Sequence, residues 1–173
     1  MTRESHGARL RTVVLVCTGN ICRSPMAEAL LRTKLARERL AHRVRVRSAG
    51  THGLDGYPAS EHAISVLSDM GIDITGHRAR STTQEIIDEA DLLLAMTDRH
   101  VEFVRRHFKR AEGKLYLLSE MVDEDFDIRD PYGGTRQEYA VCALQLEDLL
   151  ERGLRRITAL LPPVPHDTDQ ERY

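Results

Sequence analysis

A chain of 173 residues is long enough for one domain with a single buried core. Its net charge of -2 and its ordinary hydrophobic share of 41% give no case for a nucleic acid or a membrane as partner. No apolar run approaches the roughly 18 residues of a membrane span, and the first residues lack the apolar core of a signal peptide. Three cysteines, an odd number, predict a protein of the reducing cytoplasm without a disulfide framework.

The first predicted element is a strand at residues 12–17, where a short β-branched run is typical of a strand buried on both faces of a parallel sheet. The polar residues 1–10 before it are expected to be flexible. Ser24 and Pro25 predict the start of a helix, with Ser24 as N-cap, that continues to about Leu40.

Strands and helices alternate along the rest of the chain. Further strands are predicted at residues 43–50, 91–97 and 114–120, and helices at residues 58–70, 82–90, 98–108 and, after a long loop, up to about Leu161. This order predicts an α/β fold, a single three-layer domain over residues 11–161 with a central four-stranded parallel sheet and helices on both faces. The proline-rich residues 162–173 are expected to be disordered.

The loop after the first strand is predicted to bind phosphate. In an open parallel sheet, ligands bind beyond the carboxyl ends of the strands, and a helix begins seven residues after Cys17. Backbone N–H groups of residues 18–23 can curl inward there, with Gly19 permitting backbone angles that other residues resist. The helix N-terminus adds positive charge, and Arg23 adds a guanidinium that matches two phosphate oxygens.

Cys17, at the bottom of this loop, is the candidate nucleophile. A positive field favours the thiolate, and a thiolate beneath a bound phosphate is placed for in-line attack on phosphorus. Ser24 can donate a hydrogen bond to that thiolate. Cys142 falls inside the last predicted helix and is expected to be a core residue. No metal or other cofactor is expected, because no Cys or His pair completes a zinc-ligand set with Cys17 and Cys22.

The stretch VCTGNICRSPMAEALL, residues 16–31, resembles the signature loop of the low-molecular-weight protein tyrosine phosphatases, which has a cysteine, five residues, an arginine and a serine. The resemblance covers residues 12–161. It implies that Cys17 is the nucleophile, that Arg23 clamps phosphate and that Asn20 shapes the loop. The other members of the phosphate-binding loop would be Thr18, Gly19, Ile21, Cys22 and Ser24.

Three further segments are similar to segments of the family: SAGT at 48–51, GHRAR at 76–80 and MTD at 96–98. By that match Ser48, His77 and Asp98 would lie behind the phosphate-binding loop and brace it.

The loop after the fourth strand carries the candidate general acid. Ester cleavage needs a proton for the leaving oxygen, and a base must later activate water. Topology puts this loop at the sheet edge that carries Cys17, but spacing alone does not choose among four carboxylates, which are Asp123, Asp125, Asp127 and Asp130. The resemblance selects Asp130, because Asp-Pro-Tyr is the general-acid motif of the family.

The family has a branch that acts on phosphoarginine, and the sequence has features of both branches. GHRARSTT, ADLLLAMTDRH and the Gly133-Gly134 pair resemble the arginine branch. Ile21 stands where that branch typically has threonine, and it offers an apolar wall that suits a phenyl ring. Tyr132 could stack on such a ring, and His52 could contact the substrate at the rim. We expect a phosphotyrosine phosphatase, with a protein-arginine phosphatase as the alternative.

Two other chemistries stay open as lesser alternatives. Arsenate reduction on this scaffold needs further cysteines near residues 75–95, where the sequence has none. A non-hydrolytic phosphocysteine carrier would lack a group that activates water, which Asp130 would supply. The expected partners are a phosphorylated protein as substrate and inorganic phosphate as product, and we expect a monomer or a weak dimer.

Overall fold

The computed structural model describes residues 9–163 of the chain. The predicted flexible start and disordered tail therefore lie outside the described residues, except for two residues at each end. The sheet has four parallel strands in the order β2-β1-β3-β4, which confirms the predicted fold class. Their bounds are β1 Arg11–Cys17, β2 Val44–Gly50, β3 Leu92–Ala95 and β4 Leu115–Leu117.

Five α-helices and one 3-10 helix connect and follow these strands within residues 9–163. They are α1 Arg23–Arg37, α2 Glu61–Asp69, α3 Gln84–Glu89, α4 Asp98–His107, the 3-10 helix Leu118–Val122 and α5 Arg136–Leu160. None of the helices in this range combines the length and the apolar character that crossing a bilayer requires.

Several predicted bounds differ from the structure: helix α2 begins at Glu61 and not at residue 58, strand β3 ends at Ala95 and not at residue 97, and two further differences have a clear local cause. The fourth strand was predicted to reach residue 120, but it ends at Leu117, because the Glu120 carboxylate accepts the Leu117 N–H at 2.6 Å and turns the chain into a 3-10 helix. The first helix was predicted to reach about Leu40, but it ends at Arg37. Arg39 there adopts a left-handed backbone with φ 59°, and the Leu40 N–H donates to Leu35 O at 2.7 Å.

Strand β1 is buried on both faces, which explains its unbroken apolar run. Val13 and Leu15 pack in the larger core cluster with α1, α2 and α5. Val14 and Val16 pack on the other face with residues of α3 and α4. The alternation of side chains along a strand thus divides one short segment between two helical layers.

The layers bring three loops together at the carboxyl ends of the central strands. Cys17, the last residue of β1, pairs with Gly50, the last residue of β2. Beyond β3, the Met96 N–H donates to Val16 O at 3.0 Å, and Met96 O accepts the Ile128 N–H at 2.8 Å. The loop after β4 is therefore tied to the edge of the sheet where β1 ends.

Candidate active site

Five consecutive carbonyl groups of the loop after β1 are held by donors outside it. Because C=O and the following N–H of a trans peptide point in opposite directions, the N–H groups of residues 18–22 face the other way, towards the centre of the loop. Inward N–H groups form a concavity that binds an anion. The five bonds run from Thr51 N to Cys17 O (2.8 Å), His52 N to Thr18 O (2.9 Å), Leu54 N to Gly19 O (3.1 Å), His77 Nε2 to Asn20 O (2.7 Å) and Ser60 N to Ile21 O (2.8 Å).

The left-handed residue of the loop is Asn20, with φ 58°, and Gly19 has no positive φ. The expectation that Gly19 supplies the unusual backbone angles is therefore wrong. Asn20 can take this conformation because its side chain is held at both ends: Nδ2 donates to Ser24 Oγ and Ser48 Oγ, and Oδ1 accepts the Arg80 N–H at 2.9 Å.

Gly50 is required where the end of β2 passes the loop. A Cβ atom at this position would lie 2.3 Å from Thr18 O and 3.1 Å from Asn20 N. A larger residue would push the loop after β1 away from β2. This contact explains the glycine of the SAGT segment.

A directed chain of hydrogen bonds leads to the candidate nucleophile. Asn20 Nδ2, which can only donate, lies 2.8 Å from Ser24 Oγ and 2.9 Å from Ser48 Oγ. Ser48 in turn donates to the buried carboxylate of Glu28. Since Ser24 Oγ accepts from Asn20, its own hydrogen is free to point at Cys17 Sγ, 2.9 Å away. The chain therefore gives Cys17 a hydrogen-bond donor that suits a thiolate.

Ser24 is not the N-cap of helix α1, contrary to the expectation from the sequence. The helix begins at Arg23, with Cys22 as N-cap, and no side chain caps its first N–H groups. The Ser24 hydroxyl is instead used by Cys17 and Asn20. An uncapped N-terminus leaves its dipole and its donors for an anion in the loop.

Arg23 is buried at the start of α1 and fixes the loop that carries the candidate acid. Its Nη1 donates to Ile128 O at 2.9 Å, and its Nη2 lies 3.0 Å from Asp130 Oδ2. Ile128 is itself held by Met96 O. The Nε of Arg23 is buried and has no hydrogen-bond partner among the described residues.

Asp130 is the one of the four candidate carboxylates that lines a cavity with Cys17. Its Oδ1 accepts the Tyr132 N–H at 3.1 Å, and its other oxygen meets Arg23. Of the others, Asp127 accepts the backbone N–H of Asp98 and Asp123 pairs with Arg156. Asp125 is exposed.

His77 and Asp98 differ in their relation to the loop. Burial lowers the pKa of His77, which favours a neutral ring whose Nε2–H donates to Asn20 O. Asp98 is exposed as the first residue of α4, and none of the described hydrogen bonds joins its side chain to the loop. The sequence interpretation that Asp98 braces the loop does not fit this position.

His100, which the sequence interpretation missed, makes the contact that was assigned to Asp98. Its Nε2 lies 2.8 Å from Thr18 Oγ1, and its Nδ1 lies 3.0 Å from Thr97 Oγ1. Residues two apart on a helix point about 200° apart, so the helix that exposes Asp98 turns His100 inward. Burial, with the nearby Arg23 guanidinium, lowers the pKa of His100 to about 4, so the buried ring is neutral at neutral pH.

Cys22 differs from Cys17 in its surroundings. Its Sγ lies 3.2 Å from Tyr139 Oη, and burial raises the pKa of the Cys22 thiol. It is therefore a protonated thiol at neutral pH and not a second nucleophile.

The cavity above Cys17 has a volume of about 240 Å³ and an apolar mouth. Ile21, His52 and Tyr132, the three predicted substrate contacts, all line it, and so does Leu54, which sequence reasoning missed. Tyr132 and Leu54 are exposed hydrophobic residues at this rim. Within residues 9–163, no cluster of three or more His, Cys, Asp or Glu side chains could hold a metal ion.

A family model described as low molecular weight phosphotyrosine protein phosphatase matches residues 12–160. The chain belongs to this phosphatase family. Over 155 residues the phosphatase is 39% identical to the probable low molecular weight protein-tyrosine-phosphatase EpsP of Ralstonia nicotianae, covering 90% of this chain and 97% of the relative. Over 141 residues it is also 39% identical to the protein-arginine-phosphatase of Bacillus subtilis, covering 81% of this chain and 92% of the relative.

A solved structure of the YwlE arginine phosphatase, a Cys-to-Ser mutant with a phosphorylated active-site serine, matches the phosphatase with a TM-score of 0.80. The two are 38% identical, and the match covers 86% of this chain and 95% of the other. These findings confirm the family, including its arginine-phosphatase branch, and a hydrolase that acts on phosphoproteins.

The lowered pKa of His100 predicts a pH-dependent stability. The folded state keeps this ring neutral down to about pH 4, whereas the unfolded chain binds the proton from about pH 6.5 downward. The free energy of unfolding should therefore fall by about 2 to 3 kcal/mol as the pH is lowered from 7 to 4.5. Urea unfolding at both pH values measures this loss. The loss should be smaller by about 2 to 3 kcal/mol in His100→Gln, which keeps a donor for Thr18 but has no imidazole to protonate. Equal losses in both proteins would contradict the assignment.

Proposed function

We propose that this phosphatase hydrolyses phosphotyrosine in proteins through a phosphocysteine intermediate. Cys17 is the nucleophile, Arg23 the phosphate clamp, and Asp130 the general acid and then the general base. One observation carries the proposal: a single cavity brings these three side chains together beneath an apolar mouth. Inorganic phosphate is the second product.

The first step transfers the phosphoryl group to sulfur. The Cys17 thiolate attacks phosphorus, the S–P bond forms, and the bond between phosphorus and the tyrosine oxygen breaks. Asp130 gives its proton to that oxygen, so that tyrosine leaves as a neutral phenol. The inward N–H groups and Arg23 stabilise the charge on the transferring group.

The second step hydrolyses the intermediate. Asp130, now a carboxylate, takes a proton from water while the water oxygen attacks phosphorus. The S–P bond breaks, phosphate leaves, and Ser24 donates its hydrogen bond to the restored thiolate. The phosphorylated active-site serine of the YwlE arginine phosphatase variant supports a covalent phosphoryl group in this family.

The buried Nε of Arg23 supports phosphate as the ligand of the loop. A buried N–H without a partner costs about 1–3 kcal/mol. A phosphate oxygen in the loop would satisfy it while Nη1 stays bonded to Ile128 O. This arrangement suits a planar guanidinium that meets two oxygens at once.

The composition of the mouth supports phosphotyrosine over phosphoarginine. Ile21, Leu54 and Tyr132 can bury the faces of a phenyl ring. A guanidinium stem would need hydrogen-bond acceptors, and among the described residues the one carboxylate that lines this cavity is Asp130, which the proposed mechanism uses as the acid.

Protein-arginine phosphatase activity is the second candidate function, and the relatives support it. The arginine phosphatase of Bacillus subtilis has the same 39% identity as the probable tyrosine phosphatase of Ralstonia nicotianae, over 141 and 155 residues respectively. The relatives described above are named phosphatases, which gives no support to arsenate reduction or to a phosphocysteine carrier.

Replacing the nucleophile should abolish turnover and spare binding. Cys17→Ser should lower kcat by at least about a hundredfold, because a serine hydroxyl is a far weaker nucleophile. Inorganic phosphate should still bind, as measured by calorimetry. The control is Cys142→Ser, since Cys142 is a buried core thiol of α5, and it should keep its activity. More than about a hundredth of the wild-type rate in Cys17→Ser would exclude Cys17 as nucleophile.

In Asp130→Asn, the loss of rate should depend on the leaving group of the substrate. Because a carboxamide neither gives nor takes this proton, the rate with phosphotyrosine should fall about a hundredfold or more. Aryl phosphates with very acidic phenols should lose much less in the first step, which pre-steady-state release of the phenol measures. Asp125→Asn, an exposed neighbour in the same loop, is the control. Equal losses for all leaving groups would show that Asp130 is not the acid.

Ile21→Thr should shift the substrate preference towards phosphoarginine. The apolar wall favours a phenyl ring by roughly 1–2 kcal/mol for partial burial, and unpaired guanidinium groups cost a comparable amount. The ratio of kcat/KM for phosphoarginine to kcat/KM for phosphotyrosine should therefore rise at least tenfold. Ile21→Val, which stays apolar, should leave the ratio within about threefold. An unchanged ratio in Ile21→Thr would mean that selectivity lies elsewhere.

A further inference from the structure

We propose that a second groove beside the catalytic cavity binds an acidic side chain of the substrate protein, close to the phosphorylated residue. The inference rests on the proposed function, because it names a feature of the same protein substrate. It defines the class of phosphorylated sequence that the enzyme prefers.

The groove is continuous with the catalytic cavity. It has a volume of about 600 Å³ and shares Thr18, Arg23, His52 and Asp130 with that cavity. A peptide whose phosphorylated residue enters the catalytic cavity therefore passes its neighbouring residues over the groove.

Two arginine side chains give the groove its positive charge. Arg99 lies in the first turn of α4, and no carboxylate within residues 9–163 is at ion-pair distance from it. The side chain of Arg129 is 87% exposed, and its guanidinium lies 3.5 Å from the carboxylate of Glu138, an exposed pair that holds it weakly. Both can pair with an incoming carboxylate.

The negative groups that line the groove are already engaged. Asp130 pairs with Arg23. Asp127 accepts the backbone N–H of Asp98 at 2.8 Å, at the N-terminus of α4, where the helix dipole stabilises a carboxylate. His52 and Phe103, with ring centroids 5.0 Å apart, give the groove an aromatic side.

The two sides of the mouth therefore differ in chemistry. Ile21, Leu54 and Tyr132 make one side apolar, and Arg99 with Arg129 makes the groove side cationic. Such a mouth favours a peptide with an acidic residue on one side of the phosphorylated residue. The preference should accordingly be one-sided along the substrate sequence.

The test uses a matched set of phosphopeptides. In each peptide, one position within three residues of the phosphorylated residue, on either side, carries aspartate, alanine or lysine. On one side, wild-type kcat/KM should be about threefold to fivefold higher for aspartate than for alanine, the size of an exposed ion pair. The ratio should approach one in about 1 M salt, where the screening length is about 3 Å.

Arg99→Glu should invert this ratio and favour the lysine peptide. Arg105→Glu is the matched control, since it makes the same charge change on the exposed surface of α4 outside the groove, and it should keep the wild-type ratio. A ratio that Arg99→Glu leaves unchanged, or a wild-type preference for lysine, would overturn the inference.

Each peptide is made in a phosphotyrosine and a phosphoarginine form. Binding of the same peptides to Cys17→Ser gives the aspartate-to-alanine ratio of dissociation constants without turnover. Failure of the proposed function appears as no hydrolysis of the phosphotyrosine peptides. Failure of the groove appears as a flat aspartate-to-alanine ratio, in rate or in binding, whichever phosphorylated residue the enzyme accepts.

Discussion

The outward hydrogen bonding of five consecutive carbonyl groups is the constraint on which the rest of the site depends. A peptide group cannot turn its N–H towards an anion unless its carbonyl finds a partner on the other side. Here those partners come from the chain after β2 and from His77. The loop that carries Cys17 therefore does not make its own conformation, since two segments distant in sequence impose it.

The candidate catalytic groups are also held by hydrogen bonds to distant parts of the chain. Arg23 fixes the acid loop through Ile128 and Asp130, and Ile128 is tied to the end of β3 through Met96. His100 holds Thr18 from the opposite side. The candidate nucleophile and clamp come from the loop between β1 and α1 and the candidate acid from the loop before α5, yet hydrogen bonds connect all three to the edge of one sheet. Their relative positions are therefore tied to the carboxyl ends of the central strands.

The fold class follows from the sequence because the hydrophobic period records local burial, whereas the choice of Asp130 among four carboxylates depended on a family motif and not on spacing. The apolar run of β1 indicates burial on both faces of the sheet. The spacing of six residues between Cys17 and Arg23 indicates a loop that ends where a helix begins. Asn20 in the left-handed region, His100 on Thr18 and Ile128 on Arg23 depend on partners far along the chain. Ser24 reads as an N-cap because its local pattern fits one, and only the fold shows that Cys17 competes for its hydroxyl.

Four of the five donors that hold the loop carbonyls are main-chain N–H groups, and two of them, in His52 and Leu54, belong to residues whose side chains line the mouth. The backbone of these residues holds the loop that carries Cys17, while their side chains line the mouth of the cavity. In evolutionary terms, substitution at positions 52 and 54 can change the lining of the mouth while the backbone bonds to Thr18 O and Gly19 O stay in place. Proline alone is barred there, because it lacks the N–H. Specificity and catalysis in this enzyme can thus diverge separately, although they share the same residues.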